Sequence, residues 1–68
     1  MELSARNQLK GTVKSVQTDG LMAEILVDVG GQEVVSVITR NSAERLGLAA
    51  GQSIVIVIKS TEVLLAKP

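Results

Sequence analysis

Two short polar segments at opposite ends of the chain hold most of its capacity for chemistry: Ser4-Ala5-Arg6-Asn7-Gln8-Leu9-Lys10-Gly11 and Lys59-Ser60-Thr61. Ser4 and Arg6 stand two residues apart, so in an extended segment they project to the same side, and the Asn7 amide can turn to join them. Lys59, Ser60 and Thr61 end an aliphatic run, where hydroxyls and backbone N–H groups become free to donate. Only the carboxylates of Glu2 and Glu62 flank these donors, so a small dianion can be surrounded without like charge at its centre. The two segments read as halves of an anion site.

Composition excludes most other chemistry. Histidine and cysteine are both absent from the 68 residues. Soft-metal ligands and disulfide staples are therefore missing, and no metal is expected to be coordinated directly by side chains. The acidic residues are scattered, and Lys59 beside Ser60 on a strand would point to opposite faces, which argues against a Ser-Lys nucleophile pair and against catalysis. Seven basic and seven acidic residues cancel, which disfavours partners drawn by net charge, bulk nucleic acid above all. The longest purely apolar stretch, Ile54 to Ile58, is far too short for a membrane span, so a cytoplasmic location is expected.

The elements that must carry the two segments follow from periodicity. Leu9 to Val16 alternates roughly as a first strand, with a hairpin turn at Thr18-Asp19-Gly20. Leu21 to Val29 sets Leu21, Ala23, Ile25, Val27 and Val29 on one face against Met22, Glu24, Leu26 and Asp28 on the other, a clear second strand. Met22 there fills a gap in the packing. After the Gly30-Gly31 turn, Glu33 to Thr39 reads as a third strand. Asn41 caps a helix of about two turns, with Glu44 three residues on and Gly47 as a left-handed exit. Ser53 to Lys59, nearly all Ile and Val, reads as a fourth strand covered on both faces, in the core or at an interface, and Glu62 to Ala66 as a short fifth. The prediction is an all-β, five-stranded OB-like Greek-key barrel with one short helix between strands three and four, in one domain, 1–68.

A chain this short hides only about 60% of the surface its unfolded form exposes. Hydrophobic residues make up 46% with no aromatic among them, more apolar surface than one small barrel encloses. A homo-oligomer is expected to cover the rest.

The two polar segments resemble the signatures of the molbindins, the small molybdate-binding Mop proteins: Ser-Ala-Arg-Asn-Gln-Leu-Lys-Gly at 4–11 and Lys-Ser-Thr at 59–61 followed by Glu-Val. The resemblance covers the whole chain. It implies a hexamer built as a trimer of dimers that binds molybdate or tungstate, without a further cofactor, at subunit interfaces. It places Ser4, Arg6, Lys59 and Ser60 in the principal site, with Asn7, Thr61, Thr39 and the backbone near Ala5 and Ser60 assisting. A second kind of interface site would draw on Asn7 or Lys10. The function implied is storage or homeostasis of the anion.

A tetrahedral dianion has four acceptor oxygens and no donors, so a donor-only host suits it. Four or five charge-assisted hydrogen bonds at about 1.5–3 kcal/mol each reach the roughly 8 kcal/mol of micromolar binding after ordering costs. The principal rival is a small barrel that binds single-stranded nucleic acid. Such surfaces depend on aromatic stacking and a positive groove, and the sequence supplies neither.

Overall fold

The computed structural model describes residues 5–68. Four strands form one antiparallel sheet: β1 (Asn7–Asp19), β2 (Met22–Val29), β3 (Gln32–Thr39) and β4 (Ser53–Ile58). Their order across the sheet is β3-β2-β1-β4, and the helix α1 (Arg40–Leu46) lies between β3 and β4 in the chain. This is the all-β, OB-like architecture with a curled sheet and one short helix expected from the sequence. β1 and β2 are central, and their inward residues make the core: Val13, Ala23, Ile25 and Val27 are each 3% exposed or less, with Ala43 of α1 packed on them. The period of two in β2 thus buries Ala23, Ile25 and Val27, one of the two faces that alternation separates.

The turns follow residue chemistry. Gly30 and Gly31 both take positive φ, +57° and +88°, between β2 and β3, angles that side chains with a Cβ resist. α1 stops at Gly47, which at φ 62° and ψ 39° supplies the left-handed cap whose N–H reaches back to the Ala43 and Glu44 carbonyls.

Several expectations are corrected. There are four strands among the described residues, not five: Ser60–Glu62 forms a single 3-10 turn and the segment from 63 to 68 takes no strand. Alternation there is not enough, because a strand forms only by pairing, and this segment pairs with neither edge of the sheet, β3 or β4. β1 is longer than Leu9 to Val16, reaching Asp19, with a bulge between Val13 and Ser15 that changes its pairing with β2. β4 is not covered on both faces within the protomer: Ile54, Ile56 and Ile58 are half-buried, whereas Val55 and Val57 are exposed. Met22 is exposed at the edge of the β1–β2 hairpin and fills no core gap.

The helix cap also moves. Asn41 lies inside α1, and Thr39 is the capping residue, its Oγ1 accepting from the Ser42 N–H at 3.1 Å. The spacing from Asn41 to Glu44 looked like a capping box, but Glu44 accepts from Arg40 Nε at 3.1 Å across one helical turn instead.

Candidate oxyanion-binding site

The antiparallel pairing of β1 with β4 decides where the two polar segments go. Its register runs Asn7 opposite Ile58, Gln8 opposite Val57, Leu9 opposite Ile56 and Lys10 opposite Val55. One step beyond the Asn7–Ile58 pair stand Arg6 on one strand and Lys59 on the other. Segments more than fifty positions apart in the chain therefore leave the sheet side by side. The apolar β4, whose Ile54, Ile56 and Ile58 face inward, is what carries Lys59 to that end.

Local structure then presents the donors. Lys59 is extended, at φ −63° and ψ 138°, and the chain turns immediately into Ser60–Glu62, closed by the Glu62 N–H donating to the Lys59 carbonyl at 2.9 Å. The first N–H groups of such a turn have no partner within it. Arg6, Lys59, Ser60 and Thr61 are exposed, Asn7 is half-buried and Ala5 is buried. Among the described residues two ion pairs occur, Lys14 with Glu33 at 3.2 Å and Arg40 with Glu44 at 3.1 Å, so neither Arg6 nor Lys59 has a carboxylate partner there. Gln8 braces the approach, its Nε2 donating to the Ala5 carbonyl at 3.5 Å. Ser4 lies outside the described residues.

Thr39 is placed elsewhere. It pairs with Met22, and Met22 pairs with Asp19, so Thr39 sits at the far end of β1 from Asn7. Its hydroxyl is held by the helix cap and donates to Ser42 Oγ at 2.8 Å. Lys10 lies three residues past Asn7 in β1, exposed beside a shallow groove with Gly11, Ser53, Ile54 and Val55. The β1–β4 register thus brings Arg6, Asn7, Lys59, Ser60 and Thr61 to one end of a single protomer, where all but the half-buried Asn7 are exposed. No signal in the residue types marks Thr39 rather than Asn41 as the cap, since Asn41 two residues on is an equally good capping type.

The TOBE domain model matches residues 3–65. Molybdenum-pterin-binding protein 3 of Clostridium pasteurianum is 44% identical over 66 residues, which is 96% of this chain and 97% of that protein. This chain belongs to the Mop family of TOBE-domain proteins. Solved structures of molybdate-binding proteins superpose on it closely. A molybdate-binding protein from Sporomusa ovata matches with a TM-score of 0.95 at 37% identity, covering 98% of this chain and all of that one. The cytoplasmic molybdate-binding protein ModG, crystallised with molybdate bound, matches with a TM-score of 0.94 at 42% identity, over all of this chain and 49% of ModG. At these identities the Mop likeness covers both sequence and fold. Among the described residues, no helix is long and apolar enough to cross a membrane.

Proposed function

We propose that this Mop-family chain binds molybdate, with tungstate as an alternative occupant of the same shape and charge, and serves to store or buffer the anion in the cytoplasm. The observation that carries this reading is the convergence of exposed Arg6 and half-buried Asn7 with exposed Lys59, Ser60 and Thr61 at one end of the β1–β4 pair, the two cations free of carboxylate partners among the described residues. In the proposed site Arg6 supplies a planar fork of donors and Lys59 a point charge, together matching the two negative charges. Ser4, Ser60, Thr61 and the Asn7 amide contribute neutral donors, and the backbone beside Ala5 and Ser60 completes the set. The function is binding without catalysis.

An open surface leaves a dianion largely hydrated and weakly held, so the site requires a second wall. A neighbouring copy supplies it in a homo-oligomer, a hexamer arranged as a trimer of dimers, with the anion at subunit interfaces. Thr39, at the other end of β1, reaches such a site only from another copy. Asn7 and Lys10 remain the candidates for a second kind of interface site. Each copy acts as a single oxyanion-binding domain.

Several relatives are named for a molybdenum-pterin. A pterin ring calls for a stacking surface, and the chain contains no Phe, Tyr, Trp or His, which favours the bare oxyanion. The same lack weighs against single-stranded nucleic acid. Calorimetric titration with molybdate, tungstate, sulfate and phosphate tests the reading. Molybdate and tungstate are expected to bind at about micromolar concentration or tighter. Sulfate, smaller at equal charge, leaves donors unmet at about 1–3 kcal/mol each and is expected to bind at least tenfold more weakly. No heat of binding with any of the four would overturn it.

A further inference from the structure

β1 serves two partners along its length. Residues 7 to 12 pair with β4, pairing with β2 begins at Thr12, and Thr12 faces both strands, Asp28 on one side and Ser53 on the other. The stretch that bears Asn7, with Arg6 just before it, is therefore an arm, joined along its length to β4 and continuous with the rest of the sheet through residues 11 to 13. The far side of that joint is firmly held. Val13 is buried, its N–H donates to the Gln52 carbonyl at 2.9 Å, and its own carbonyl accepts from the Gly51 N–H at 2.8 Å. The Gln52 side chain in turn accepts from the Ala49 N–H at 3.2 Å and donates to the Gly47 carbonyl at 3.1 Å, which fixes the loop that grips Val13.

Gly11 sits at the joint, and there is no room beside it for a side chain. A Cβ at residue 11 would stand 2.6 Å from the Asp28 carbonyl oxygen, 2.8 Å from Val27 Cγ1 and 3.0 Å from Val29 Cγ2. The other five glycines of the chain take positive φ, but Gly11 does not. Its reason is the close approach of β2. The nearest obstacle is main chain, which does not step aside as the end of a flexible side chain does. Restoring ordinary contact at about 3.4 Å moves residue 11 by about 0.8 Å. With the pivot at Val13, seven residues from Arg6 at about 3.3 Å each, the arm turns that into roughly 2–3 Å at Arg6. Hydrogen bonds tolerate only a few tenths of an ångström.

We infer that Gly11 is a positioning residue for the anion site: by admitting β2 against its bare backbone, it sets the tilt at which β1 and β4 together carry Arg6, Asn7, Lys59 and Ser60 toward the second wall. Because β1 and β4 move as one, a side chain at residue 11 leaves Arg6 beside Lys59 and spoils the aim of both. The inference rests on the proposed site between copies.

The natural absence of cysteine allows the tilt to be measured with paired spin labels. Labels at Gln8→Cys and Gln17→Cys, exposed positions on either side of the joint, are read by pulsed electron spin resonance in assemblies diluted with unlabelled copies. Gly11→Ala is expected to shift that distance by at least about 2 Å. In the otherwise wild-type full chain it is expected to raise the molybdate Kd at least tenfold, by calorimetry below its melting temperature. Ile25→Ala, a core loss away from the joint, is expected to keep the wild-type distance and a Kd within twofold of wild type. An unchanged distance or an unchanged Kd in Gly11→Ala, or an equal loss of affinity in Ile25→Ala, would overturn the inference. If Gly11→Ala does not fold, Val29→Ala, which removes one of the two valines crowding Gly11, carries the same measurements; a change of at least threefold in Kd is expected, and wild-type values in both would overturn the inference. Wild-type protein that binds no molybdate would defeat the proposed function, and the label distance alone then decides whether Gly11 sets the tilt.

Discussion

The central strands and the outer strands of this sheet are made of much the same residues and end in opposite states. Val13, Ala23, Ile25 and Val27 on β1 and β2 are exposed by 3% or less, whereas Val35, Val37, Val55 and Val57 on β3 and β4 are exposed by 40% or more. Residue type does not separate the two sets; the presence of a neighbour does. The centre is a packed core of buried side chains. The rim, together with the donor end at Arg6 and Lys59, stays exposed, apolar along the edges and cationic where β1 and β4 leave the sheet.

Breaking the centre is expected to have the largest effect. Ile25→Ala removes most of a side chain 3% exposed in the core and is expected to cost about 2–5 kcal/mol in urea unfolding, with or without anion. Breaking the donor end is expected to do the opposite: Arg6→Ala and Lys59→Ala each weaken molybdate binding by about 10–100-fold in calorimetry, equivalent to about 1.5–3 kcal/mol, with assembly and unliganded melting temperature nearly unchanged. A variant at either position that binds like the wild type would remove that residue from the site.

The smallest effect sharpens the contrast at Thr39, whose hydroxyl caps α1. Thr39→Ala is expected to lower stability by about 1 kcal/mol and Thr39→Ser by much less, measured by thermal unfolding without anion. If Thr39 of another copy also touches the anion, the alanine variant weakens molybdate binding by more than that stability loss accounts for. A loss in melting temperature alone leaves it a cap.

How much of this was legible in the sequence depended on whether a signal was local. The alternation of Ala23, Ile25 and Val27 needed no knowledge of the fold to locate the core, and the paired glycines at 30 and 31 marked their turn because few other residues tolerate such angles. The two donor segments were recognisable by type, and the sheet register brought together Arg6 and Lys59, whose meeting no spacing in the chain encodes. The cap was misplaced because Thr39 and Asn41 are both good capping residues and the backbone chose between them. The fifth strand is absent because Glu62 to Ala66 has the pattern of a strand but pairs with neither free edge of the sheet, β3 or β4, and a period of two says nothing about whether a partner is met.

The most direct test of the central claim is a crystal structure grown with molybdate, with the metal located by anomalous scattering at the molybdenum absorption edge. The account predicts a molybdenum peak between protomers, with Arg6 and Lys59 side chains in hydrogen-bonding reach of its oxygens. Peaks confined to sites that neither residue touches, in an assembly that leaves both in open solvent, would contradict it.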